Sequence, residues 1–178
     1  MRRVADAERV RTFLTELARA ADAPGRVYLT GGATAVLLGW RPTTIDVDLK
    51  LVPEADALLR AIADLKDRLS INVELAAPSD FIPELPGWED RSPFVLQAGS
   101  LAVFHYDLYA QALAKIERGH AQDVGDVKHL LRSGLVEPAR LRALFEQIEP
   151  RLYRYPALDP TSFRRAVEAA LRGPSGQA

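Results

Sequence analysis

Asp46 and Asp48 stand two apart in the stretch "IDVDL", where Ile45, Val47 and Leu49 alternate with them. That period predicts a strand with both carboxylates on one face and three apolar side chains directed into a core. Two carboxylates side by side on a half-buried sheet repel each other and lose solvation. A divalent cation relieves both costs. Oxygen-only donors favour Mg2+ or Mn2+, which keep several waters and recruit substrate phosphates. Taken alone, Asp-x-Asp favours the plainer reading, an edge strand whose polar face meets solvent.

A glycine pair precedes the aspartates. Gly31 and Gly32 lie between the β-favouring run "VYLT" and the helix-like "ATAVLLG". Glycines there permit backbone conformations that other residues resist, and they let a phosphate approach the backbone amides. The alternative is a tight turn packed close to a sheet. The pair is neither a dinucleotide-binding G-x-G-x-x-G fingerprint nor a Walker A loop, since no Gly-Lys-Ser/Thr follows.

The elements that must position these residues follow from periodicity. Ala5 to Ala21 has an apolar stripe, Val10, Phe13, Leu14 and Leu17, and reads as an amphipathic helix. A strand is expected over Val27–Thr30, a helix from the glycine pair to near Gly39, and a turn at "RPTT". The Asp-x-Asp strand then runs to Pro53. "EADALLRAIADLKDRL" predicts a helix and "INVELAA" an alternating strand, with Ile71, Val73 and Leu75 on one face and Asn72 and Glu74 on the other. Pro78 to Pro93 is rich in Pro, Asp, Glu and Gly but carries Phe81 and Trp88, which marks an ordered loop and not a linker. "PFVLQAG" and "LAVFHYD" read as two more strands, and everything from Leu108 onward is helical. The expected fold is α/β (α+β): a small mixed sheet with helices on one face, followed by a C-terminal helical region. The expected division is 1–107 for the core and 108–178 for helices packed on it as a single compact unit, with the tail "GPSGQA" fraying.

Composition sets limits. The 178 residues are 48% hydrophobic and 26% charged, which is globular and not disordered. A formal net charge of -1 gives no global field for nucleic acid or membrane, although residues 1–110 are net acidic and 111–178 net basic. With no cysteine there are no disulfides and no thiolate zinc sites, and three scattered histidines disfavour a multi-histidine metal site. Two arginines at the start have no apolar run behind them, so no signal peptide is expected, and no stretch approaches membrane-spanning length. A cytoplasmic location and no membrane partner are expected.

Strand, Gly-Gly, short helix, turn, then Asp-x-Asp strand resembles the nucleotidyltransferase superfamily of the DNA polymerase β type. More narrowly, "GGATAVLLGWRPTTIDVDL" and "QALAKIERGHAQDVGDVKHLL" look like the bacterial AbiEii and MenT-type toxin nucleotidyltransferases and their uncharacterised relatives, over roughly residues 25–135. The resemblance implies a metal-dependent transfer of a nucleoside monophosphate from a nucleoside triphosphate such as ATP. It implies two ions, Mg2+ or Mn2+: one held by Asp46 and Asp48 at the triphosphate, and a second shared with Glu74 that would lower the pKa of the attacking hydroxyl. A third carboxylate from a later strand would be Glu74, where the superfamily more often has Asp, so that Glu74 is a metal ligand, a base or a solvent-facing residue; Asp80, in the loop, is the alternative. Gly31, Gly32 and Thr30 or Thr34 would meet triphosphate oxygens. Arg41 would pair with a phosphate or be a surface turn arginine. Lys115 would contact the β- or γ-phosphate, with Asp126 orienting it or Arg118. Asp123 reads equally as a carboxylate favoured at a helix start. Arg91 would reach substrate or brace its loop, and Trp88 and Phe81 would stack a base or anchor that loop.

The resemblance implies an acceptor hydroxyl on RNA such as tRNA or on a protein, and a cognate antitoxin as partner; "RLYRYP" in the basic helical end is compatible with RNA. The rival enzyme is an Asp-x-Asp glycosyltransferase, disfavoured by the early glycine pair and the short chain. A haloacid-dehalogenase phosphohydrolase would need Asp-x-Asp-Gly-Thr, but Leu49 and Lys50 follow here. The non-enzyme rival is a degenerate nucleotidyltransferase-like domain that binds a nucleotide or a partner without turnover.

Overall fold

The computed structural model describes residues 4–172, so the tail expected to fray lies outside the described residues. The chain divides into two compact units. One is formed by the residues through Ala77 together with Ser92–Tyr106, the other by Pro78–Arg91 together with the residues from Asp107 on.

The first unit is built on a five-stranded mixed sheet. Its elements are α1 (Ala7–Arg19), β1 (Gly25–Thr30), α2 (Gly31–Leu37), β2 (Asp46–Val52), α3 (Asp56–Arg68), β3 (Asn72–Leu75), β4 (Phe94–Ala98) and β5 (Leu101–His105). The strand order is β3-β2-β1-β5-β4. β2 runs antiparallel to β1 and parallel to β3, and β5 is parallel to β1 and antiparallel to β4. Alternation sorts the side chains. Val27, Leu29, Val47, Leu49, Leu51, Val73, Leu101 and Val103 turn to one face and meet Val10, Phe13, Leu14 and Leu17 of α1 and Leu58, Ile62 and Leu65 of α3. The expected α/β fold, a small mixed sheet with helices on one face, is the observed one. Asp6 caps α1 by accepting the Arg9 N–H at 2.9 Å.

Two apolar positions depart from the alternation read in the sequence. Ile45 is 71% exposed. The chain is pinned one residue earlier, where Thr44 exchanges backbone hydrogen bonds with Ala5, so regular pairing begins only at Asp46 and Thr44 takes the inward place. Leu75 is also exposed, at the end of an edge strand that is shorter than the apolar run suggested.

The glycine pair is required twice over. Gly31 has φ +59°, and a Cβ there would lie 2.8 Å from Asp48 Oδ2. A Cβ on Gly32 would lie 1.9 Å from Thr44 Oγ1 and 2.7 Å from its Cβ. The turn after β1 is thus pressed directly onto the start of β2.

The second unit is helical: a 3-10 turn (Pro78–Asp80), α4 (Trp88–Arg91), α5 (Leu108–Arg118), α6 (Ala121–Arg132), α7 (Pro138–Ile148), a second 3-10 segment (Glu149–Arg154) and α8 (Pro160–Arg172). The loop read as ordered gains its order here. Ile82, Leu85 and Trp88 are buried, Tyr155 Oη donates to the Ser79 carbonyl at 2.9 Å, and Arg151 donates to the Glu84 carbonyl at 2.8 Å. Phe81 remains half exposed.

Gly32→Ala is expected to cost about 1–3 kcal/mol by overpacking, read by urea unfolding. Adding Thr44→Ala should return only part of that loss, because it removes the hydroxyl clash and leaves the one with the Thr44 Cβ.

Candidate functional site

Asp46 and Asp48 are half-buried on the sheet face opposite α1 and α3, as the alternation of β2 requires. Pairing brings their neighbours into line: Asp48 lies opposite Thr30 of β1 and Glu74 of β3, and Asp46 lies opposite Asn72. Asn72 donates from its single amide nitrogen to Asp46 Oδ1 at 2.6 Å and to Glu74 Oε1 at 3.0 Å. Glu74 itself is exposed. The sheet unit therefore gathers Gly31, Asp46, Asp48, Glu74 and Asn72, the last a residue that sequence reasoning placed on this face but gave no role.

Among the described residues, no set of three or more His, Asp or Glu side chains is arranged to hold a metal ion by itself. Two adjacent carboxylates nevertheless fit Mg2+, which is bound through one or two carboxylates plus waters and substrate phosphates and does not need an all-protein cage. The close approach of Asp48 Oδ2 to the Gly31 backbone leaves no side chain between that carboxylate and the turn.

Thr30 is buried at the start of α2 and makes no side-chain cap. Thr34 is 1% exposed; its hydroxyl donates to the Leu29 carbonyl at 3.1 Å and lies 3.1 Å from His105 Nδ1. A phosphate contact by Thr34 would require the hydroxyl to leave both. Arg41 is half-buried in the turn after α2, where its backbone N–H reaches the Ala35 carbonyl. His105, which the sequence did not single out, is buried, and desolvation lowers its pKa to about 4.

The helical unit assembles a second polar cluster. Gly119 (φ +68°) closes α5 and lets α6 fold back at once. Lys115 Nζ then meets Asp126 Oδ2 at 2.7 Å and Asp123 Oδ1 at 3.4 Å, while Arg118 grips Asp123 with two nitrogens at 2.7 and 2.6 Å. Lys115, Asp123 and Asp126 are all buried. Burial alone would raise the Asp123 pKa, but Arg118 and Lys115 together hold it below the ordinary carboxylate value. Asp126 orients Lys115, one of the two partners expected for it. Any phosphate drawn to Lys115 competes with two buried carboxylates.

Arg91 braces its loop. It donates from Nε and Nη2 to Asp107 Oδ2 at 3.1 and 2.6 Å, and from Nη1 to the Pro86 carbonyl at 2.7 Å. Asp107 is fully buried and caps α5 through Tyr109 N–H; its burial raises its pKa against the pull of Arg91. Asp80 is exposed in the loop of the helical unit, whereas Glu74 sits in register with Asp48.

A family profile described as a nucleotidyltransferase of unknown function (DUF6036) matches residues 7–165, which takes in both polar clusters. The chain belongs to this family. No curated protein and no solved structure matches the chain. The link is to a nucleotidyltransferase-associated family as a whole and does not single out the toxin subgroup. Among the described residues, no helix is long and apolar enough to cross a membrane.

Asp126→Ala should cost about 3 kcal/mol, because the buried Lys115 ammonium loses its 2.7 Å partner and keeps only the 3.4 Å contact to Asp123, which Arg118 already holds; adding Lys115→Met should recover much of that in thermal unfolding. His105 sets an acid limit. The unfolded histidine takes up a proton near pH 6.5 and the folded one only near pH 4, so the unfolded chain binds more protons between those values. Stability should fall as pH drops through that window, by up to about 3 kcal/mol. Urea midpoints measured against pH should show a shallower slope in His105→Gln.

Proposed function

We propose that this chain is a nucleotidyltransferase that moves a nucleoside monophosphate from a nucleoside triphosphate to a hydroxyl acceptor. The acceptor oxygen forms a bond to the α-phosphorus, the bond from that phosphorus to the bridging oxygen breaks, and pyrophosphate leaves. One observation carries the reading: Asp46 and Asp48 share a sheet face, with Asp48 against the Gly31 backbone, in a chain of a nucleotidyltransferase family. Mg2+ or Mn2+, when held by these two carboxylates, supplies charge neutralisation at the triphosphate and lowers the pKa of a coordinated hydroxyl.

The chain's own residues do the positioning. Asn72 orients Asp46 by its 2.6 Å hydrogen bond. Gly31 keeps the approach to Asp48 free of a side chain. Glu74, exposed and beside Asp48 in the parallel register, is the carboxylate placed to receive the acceptor's proton. The resemblance of the stretches around Gly31–Leu49 and Gln111–Leu131 to toxin nucleotidyltransferases supports RNA such as tRNA, or a protein, as acceptor, with a cognate antitoxin as partner.

A second reading, a domain that binds nucleotide without turnover, is favoured by one observation: Glu74 is tied to Asn72 and does not join the aspartates in a three-carboxylate set. Pyrophosphate release, measured with each nucleoside triphosphate, Mg2+ or Mn2+, and separate RNA and protein acceptor pools, distinguishes the two. Asp48→Asn should reduce turnover by about a thousandfold or more. Because it removes one of two like charges, the same variant should keep or raise the melting temperature. Nucleotide binding without pyrophosphate release under every condition would support the binding domain instead.

A further inference from the structure

The amide of Asn72 occupies an unusual place. One nitrogen donates both of its N–H groups to carboxylates, 2.6 Å from Asp46 Oδ1 and 3.0 Å from Glu74 Oε1. These are the two carboxylates that a second cation would bridge if Glu74 completed a two-metal set with the aspartates. Magnesium–oxygen bonds are about 2.0–2.1 Å long, so a bridging ion would draw both oxygens in closer than an N–H donor does. A primary amide there carries two donors and no charge. It satisfies one lone pair on each carboxylate without neutralising either. The strand register keeps it in place: Asn72 faces Asp46 across the β2–β3 ladder, and Glu74 follows two residues on, on the same face.

We propose that Asn72 is a positioning residue that stands where a second divalent ion would sit, restricting the site to one cation at Asp46 and Asp48 and leaving Glu74 outside the metal's ligand set. This rests on the metal-site reading above and deepens it. Asp46 has one oxygen engaged by Asn72, which leaves the other for the ion. Glu74 is exposed and keeps its hydrogen bond to Asn72. An aspartate at position 72 would change the balance: a third negative charge would replace the donor, and the Asp46–Glu74 gap would become a cation site.

The test is the stoichiometry of Mn2+ binding, read by electron paramagnetic resonance, with Mn2+ alone and with Mn2+ plus a non-hydrolysable ATP analogue. Because the analogue itself carries Mn2+, its own contribution is measured in the Asp46→Asn/Asp48→Asn variant and subtracted. The expected result is one protein-dependent Mn2+ in the wild type. Asn72→Asp should bind a second, and Asn72→Asp/Glu74→Gln should return to one. Two ions in the wild type, both lost in Asp46→Asn/Asp48→Asn, would overturn the inference and leave the metal reading standing. No Mn2+ in the wild type, or binding unchanged in Asp46→Asn/Asp48→Asn, would overturn both. A single ion in a well-folded Asn72→Asp would overturn the inference alone. Should Asn72→Asp not fold, the wild-type count and Asn72→Ser decide: Asn72→Ser, which loses the double donor, should admit a second, weaker Mn2+, and its absence counts against the proposal.

Discussion

The backbone of Gly31 and Gly32 presses onto the beginning of β2 with no room for a Cβ on either residue, and the arrangement of the carboxylates depends on that contact. Gly31 lies against Asp48 and Gly32 against Thr44, so the turn between β1 and α2 is held at two successive points. Thr44 answers from its side. Its backbone pairs with Ala5 and its hydroxyl donates to the Asp46 carbonyl at 2.9 Å. A side chain on Gly32 would run into Thr44 and push the turn off the strand, and one on Gly31, strained at φ +59°, would displace the Asp48 carboxylate from its place beside the backbone. A local steric limit thereby sets the position of a charged group.

The helical unit solves a different problem. Lys115, Asp123 and Asp126 lie out of water, where an unpaired charge would be far costlier than the modest gain of any surface pair. Arg118 completes the set, so two cations meet two anions and none of the buried charges is left alone. Gly119 makes this possible by reversing the chain in the two-residue link, Gly119 and His120, between α5 and α6. Arg91 and Asp107 repeat the same logic at the other end of α5, where a fully buried carboxylate caps the helix and anchors a proline-rich loop.

Much of the sheet unit was legible because strand alternation depends only on neighbours in sequence. Val47 and Leu49 inward, Asp46 and Asp48 outward, follow from a period of two, and the apolar stripe of α1 from a period of 3.6. The same rule failed at Ile45 and Leu75. Alternation gives a direction but says nothing about where pairing starts or where the core ends, and both residues lie at such ends. His105 was passed over because a histidine in an apolar strand has no local signature; its low pKa comes from burial by residues distant in the chain.

By itself, the sequence determined the elements, the shared face of the two aspartates and the special backbone needed at the glycine pair, since each is a property of a few consecutive residues. Only the tertiary structure decided what those features meet. β3 pairs with β2 in the register that sets Asn72 against Asp46 and Glu74 against Asp48. Helix reversal at Gly119 turned a lysine and two aspartates, scattered over eleven positions, into one buried ion network. Pairing register and helix packing join residues far apart in the chain, and no local pattern of side chains specifies which partner each will find.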